Sequence, residues 1–195
     1  MDIANYTPAA DCLEDRIIMI TGATRGIGKA LAMDAAKYGA TVLLVAKDLK
    51  RLEETYDEIE ALGKAQPAML NIDLESAGAD DYQTVAKSVH EEYGRIDGLV
   101  HNAARVGGLT PLTQTDVTLW SKLVTLHIHA PFLLTRACLP LLKKSAEETI
   151  VIAQIEEPEG VEAIDAIAAT DGIDGLFVGP ADLAVCMGLP DTSAP

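Results

Sequence analysis

The stretch RIIMITGATRGIG, residues 16–28, runs from a continuously apolar segment into three glycines, Gly22, Gly26 and Gly28. A β-branched run followed by such a loop predicts a strand at 16–21, a tight turn, and a helix opening out of the loop. Gly22 allows the turn, Gly26 lets backbone approach a pyrophosphate, and Gly28 lets the helix pack close to the sheet. Phosphates are then expected at the positive end of that helix. A second apolar run beginning at Thr41 supplies the next strand that this reading requires.

Outward from the loop the same grammar repeats. Strands are predicted at TVLLVA (41–46), PAMLNI (67–72), GLVHNA (98–103), TIVIAQI (149–155) and GLFVG (175–179). Between them lie helix-length segments at 26–38, 48–62, 80–93, 116–143 and 158–170. Most strands are apolar at every position, as parallel strands covered on both faces are. The expected fold is α/β: a Rossmann-like doubly wound parallel sheet of about six strands in the order 3-2-1-4-5-6, with helices on both faces. No linker divides the chain, so 1–195 is expected to form a single domain.

The net charge of −15 on 195 residues argues against nucleic acid or an anionic membrane surface as the main partner. It leaves room for a phosphate ligand, because a nest of backbone N–H groups holds an anion on an acidic protein. Residues 1–16, MDIANYTPAADCLEDR, show neither the positive nor the apolar region of a signal peptide. No apolar run approaches the roughly 18 residues that span a bilayer, and a cytoplasmic-type soluble protein is expected. Cys12, Cys138 and Cys186 lie far apart and read as reduced thiols, two of them packed against apolar neighbours.

The loop and its context resemble the short-chain dehydrogenases/reductases. Their TGxxxGxG signature stands here as Thr21, Gly22, Gly26, Ile27 and Gly28, with Thr24 and Arg25 inside the loop. Where NAD-preferring members carry an acid after the second strand, this chain has Ala46 and Lys47. Two cations, Arg25 and Lys47, suit a 2′-phosphate, so the resemblance implies NADP(H). It further implies adenine contacts from Asp73 and Leu74 in NIDL (71–74). HNAA (101–104) stands for the family's NNAG, which sets Asn102, Ala103 and Ala104 beside the cofactor. The likeness runs on through LTRACLPLL (134–142) and makes the helix at 116–143 a candidate homodimer face.

The family's chemistry also needs a Ser at the end of the fifth strand and a Tyr-x-x-x-Lys pair on the next helix. Here that strand ends in Gln154, Ile155 and Glu156; no tyrosine follows Tyr93 and no lysine follows Lys144. The relay Asn position carries His127. His127 and His129 are two apart on a helix and face different ways, so both are read as helix-packing residues. No catalytic residue is assigned. From Val151 onward, VIAQIEEPEGVEAIDAIAATDGIDGLFVGPADLAVCMGLP resembles the metal-dependent 2-keto-acid aldolases of the HpcH/HpaI type, which are TIM barrels. That resemblance implies that Glu156 and Asp182 each give a carboxylate to Mg²⁺ or a similar ion. With Pro158 and Pro180 read as the first residues of two helices, Glu156, Glu157, Glu159 and Asp182 would equally serve their N-termini.

The expectation is therefore a composite, engineered or natural. A short-chain-dehydrogenase-like segment, 1–145, is joined to an aldolase-like segment, 149–195, whose TIM-barrel-like βαβ unit supplies the last two strands. It is expected to bind NADP(H) with little or no activity. The alternatives are a structural scaffold without ligand function and a metal-dependent lyase using Glu156 and Asp182.

Overall fold

The computed structural model of the chain describes residues 8–105, 107, 111–148, 152–155, 162–169 and 175–178. They form β1 (Ile17–Thr21), α1 (Gly26–Lys37), β2 (Thr41–Ala46), α2 (Leu49–Glu60), β3 (Ala68–Asn71), α3 (Ala79–Glu92) and β4 (Gly98–Val100). Beyond these lie α4 (Val117–Val124), α5 (Ala130–Leu142), β5 (Ile152–Ile155), α6 (Ile164–Ala168) and β6 (Gly175–Val178). Two compact units result, Met1–Glu147 and Glu148–Pro195.

In the first unit the strands are parallel in the order β3-β2-β1-β4. Alternate side chains of each apolar strand point to opposite faces, and helices cover both. Met19, Leu43 and Val45 pack with Tyr82 and Val89 of α3 and with Leu134, Cys138 and Leu141 of α5. Ile20, Val42 and Leu44 pack on the other face against Ala32 and Ala36 of α1 and Leu52 and Ile59 of α2. Small alanines let α1 lie close to the sheet. Each fully buried aliphatic side chain contributes about 1.5–3 kcal/mol. The doubly wound arrangement expected for this part of the chain is the one present.

The six-stranded sheet is not. Four strands form one sheet, and β5 pairs in parallel with β6 in a sheet of two. A strand–helix–strand unit can satisfy one edge of each strand locally, whereas sequence periodicity carries no information about which distant edges meet. Among the described residues nothing shows a TIM-barrel part.

Two boundaries also differ for physical reasons. β4 stops at Val100 instead of Ala103 because the Thr21 hydroxyl takes the next amides: the Asn102 and Ala103 N–H groups both donate to its Oγ1 at 3.0 Å. The long helix predicted at 116–143 contains one π-helical turn, Thr125–His129, between α4 and α5. Pro131 has no N–H to offer the carbonyl four residues back, and a wider turn accommodates the gap. Cys138 is buried as expected, whereas Cys12 is exposed; Cys186 lies outside the described residues.

Candidate functional site

The C-terminal ends of β1 to β4 open into a cleft of about 660 Å³. Its floor is the glycine loop. Gly22 and Gly26 adopt φ of +67° and +54°, the left-handed region that side chains disfavour. Gly22 is also crowded: a Cβ there would lie 2.9 Å from the Ala103 Cα. At Gly28 a Cβ would lie 2.3 Å from Asn102 Nδ2 and 2.4 Å from the Gly22 carbonyl oxygen. Gly28 therefore serves contact with the loop and with Asn102 as much as contact with the sheet. Gly26 differs, since a Cβ there meets nothing within 4 Å. Its open side is room for something other than protein.

Asn102 ties the loop to β4, donating from Nδ2 to the Thr21 carbonyl at 2.9 Å and the Gly22 carbonyl at 3.3 Å. The buried Thr21 hydroxyl donates to the Val100 carbonyl while accepting the two amides already named. The adjacent α1 begins without a capping side chain and without an acid in its first turn. By contrast Asp48 caps α2 and Asp116 caps α4. The first amides of α1 thus remain available to an anion.

Cations gather on the far side. Thr24, Arg25, Ile27, Lys47, Asp73, Leu74, Ala103 and Ala104, all singled out in the sequence, line this one cleft. Sequence reasoning missed Arg51, Glu75 and Arg105, which line it too. Arg51 lies in the first turn of α2, whose cap Asp48 directly follows Lys47, a nearness in sequence that could have revealed it. Glu75 and Arg105 carry no such signal, because only the strand order brings them together. Lys47 Nζ lies 3.3 Å from a Glu75 carboxylate oxygen and 3.7 Å from Asp73. Arg105 Nη1 reaches the same Glu75 carboxylate at 3.2 Å. Burial pushes the Glu75 carboxyl up, but Arg105 and Lys47 outweigh it and hold it below the usual carboxylate range. Asn71 adds a further tie, donating to the Ala46 and Lys47 carbonyls at 3.1 and 3.0 Å.

His127 does not serve helix packing. It is exposed, and Nε2 sits 3.0 Å from the Arg105 carbonyl oxygen. His129 is likewise exposed. His127 and His101 line a smaller cavity of about 290 Å³ with Thr21, Ala103 and Pro131. His101 pairs with Thr135 Oγ1 at 2.8 Å, and burial lowers its pKa. Glu156 and Asp182 lie outside the described residues. Among the described residues no group of three or more His, Cys, Asp or Glu side chains could hold a metal ion. Nor is any described helix long and apolar enough to cross a membrane.

Residues 16–156 match the short chain dehydrogenase family. The uncharacterised oxidoreductase YciK of Escherichia coli K12 is 36% identical over 147 residues, which are 75% of this chain and 58% of that protein. A crystal structure of a candidate short chain dehydrogenase from Escherichia coli CFT073, complexed with NADPH, superposes with a TM-score of 0.70 at 36% identity. It covers 80% of this chain and 64% of its own. The short chain dehydrogenase from Shigella flexneri superposes at 0.71 and 29% identity, over 97% of this chain and 82% of its own. The chain spans little more than half the length of the oxidoreductase that it matches.

These relatives overturn the expectation of an almost inactive composite, together with its scaffold and lyase alternatives. The family match continues through the expected junction at 145–149 to residue 156, and the Shigella likeness spans nearly the whole chain. Oxidoreductases and an NADPH complex are what this sequence is similar to. The aldolase-like resemblance rests on short strand-end motifs, and acids at a helix N-terminus are too common to identify a barrel.

Proposed function

The chain belongs to the short-chain dehydrogenase family, and from that premise we propose that it serves an NADP(H)-dependent oxidoreductase acting on a carbonyl or alcohol substrate. The observation that carries the reading is the uncapped start of α1 at Gly26, open to the cleft and flanked by Arg25, Lys47 and Arg51. Gly22, Thr24, Gly26, Ile27 and Gly28 would hold the pyrophosphate against backbone amides. Asp73 and Leu74 would take the adenine side, and Asn102, Ala103 and Ala104 the opposite wall. Arg25 and Lys47 would meet the 2′-phosphate, an interaction that depends on charge and so weakens with salt. The bound dinucleotide supplies or accepts a hydride. The protein's part is to orient it and keep its anionic groups on fixed donors.

The family's Tyr-x-x-x-Lys pair has no counterpart in residues 145–195. The proposal therefore separates into dinucleotide binding by this chain and hydride transfer by the whole protein, and each has its own test. Calorimetric titration should give micromolar binding of NADPH, tighter than NADH. Lys47→Ala or Arg25→Ala should weaken NADPH about tenfold, ~1.4 kcal/mol, and leave NADH nearly unchanged. A folded, monodisperse sample that binds neither dinucleotide would refute the first part. NADPH oxidation by a panel of aldehydes and ketones tests the second.

A homodimer through the α4–α5 face is part of the same reading. Val117, Trp120, Ile128, Phe132 and Leu139 recur at helical spacing and are exposed. A monomer by light scattering, insensitive to Trp120→Glu, would remove it. The free thiols of Cys12 and Cys138 suit a reducing compartment, and the reading places the protein in the cytoplasm.

A further inference from the structure

Every cation at the ribose end of the cleft except Arg25 is already matched by a carboxylate. Arg51 pairs with Asp48 at 3.4 Å, and Lys47 with Asp73 and Glu75. Arg25 forms no ion pair with a described residue. Glu75 is the centre of this arrangement. It follows β3, while its partners Lys47 and Arg105 follow β2 and β4. Its side chain is only 12% exposed, against 54% for Lys47 and 49% for Arg105. A lysine held by a covered carboxylate is already engaged when an anion enters the cleft. The competing charge is already ionised and held by two donors.

We propose that Glu75 is a specificity-determining residue that competes with the 2′-phosphate of NADP(H) for Lys47 and so limits the preference for the phosphorylated dinucleotide. The inference rests on the dinucleotide reading above. To meet the phosphate, Lys47 must exchange one anion for another, and the displaced carboxylate stays nearby as a like charge. NADH, which lacks the phosphate, asks for no such exchange. Arg105 remains with Glu75 in both cases and keeps the carboxylate satisfied.

The test is titration of NADPH and NADH into the wild type, Glu75→Gln, Lys47→Ala and the double variant. Glu75→Gln should tighten NADPH about three- to tenfold and move NADH less than about twofold, with the gain abolished in the Lys47→Ala background. Glu75→Ser should act in the same direction and serves if the glutamine variant folds poorly. Arg105→Ala, which takes the second donor from Glu75, should strengthen its hold on Lys47 and lower the NADPH-to-NADH ratio. Equal weakening of both dinucleotides would make Glu75 a structural brace and overturn the proposal, as would an unchanged ratio or a gain that survives Lys47→Ala. A wild type that binds NADH but not NADPH would overturn it too. A wild type that binds neither would fail the dinucleotide reading itself and this inference with it.

Discussion

The two edges of the four-stranded sheet use the same kinds of interaction to different ends. At the edge where the strands begin, Asp97 is covered to 6% exposure and satisfied on every side. It accepts the Ile17 N–H at 2.9 Å and Arg95 Nε at 3.1 Å, with Arg16 at 3.5 Å. The Asp97 N–H in turn donates to the Ile17 carbonyl, so β1 and β4 are clasped before they pair. At the edge where the strands end, the ion pairs of Lys47, Arg51 and Arg105 involve exposed cations, and the glycine loop leaves a gap above Gly26. Asp97 holds a backbone N–H as well as two half-exposed arginines, and so fastens one strand to another. An exposed cation is free to change partner, and that suits binding.

The sharpest way to break this comparison is at Gly28, where the binding edge is as tightly packed as a core. Gly28→Val must displace Asn102 and the Gly22 carbonyl, and should cost about 3 kcal/mol of stability. Urea unfolding measures it; a loss below 1 kcal/mol would mean that the loop relaxes and the packing is loose.

Asp97→Asn tests the opposite edge and should cost about 2 kcal/mol near neutral pH, leaving two arginines without their carboxylate. Burial raises the Asp97 pKa, but the Ile17 amide and Arg95 reverse this and bring it below the usual carboxylate value. A depressed folded pKa means that the contribution is complete above the unfolded value of about 3.9 and fades as pH falls through the folded value. The gap between wild type and variant should accordingly narrow below about pH 4. A gap independent of pH from 7 to 3 would show that shape, not charge, holds this edge.

The smallest effect on stability belongs to Gly26→Ala, about 1 kcal/mol for a side chain at positive φ with nothing to strike. Its effect on NADPH should be larger than on folding, a loss of about tenfold or more in affinity, because the methyl enters the open side of the loop. Unaltered NADPH affinity would move the pyrophosphate elsewhere.

Much of the molecule was readable from local signals. The first four strands fall within a few residues of their predicted places, and the cleft gathers the residues chosen from the glycine loop, NIDL and HNAA. Reading failed where a feature depends on distant chain. Its place on a helix points His127 to packing, whereas the ring lies exposed beside the Arg105 carbonyl on a π turn. In the sequence Glu75 is one acid among thirty, and the family match runs straight across the change of motif at 145–149.

The sequence by itself determined the strand and helix segments, the positive-φ glycines and the anion-ready start of α1, because each is set by neighbours a few residues away. Tertiary structure decided the rest. Strand order brings Asn102 to Thr21 across 81 residues and sets Glu75 between Lys47 and Arg105. Such meetings follow from which sheet edges pair, and no local preference encodes that choice.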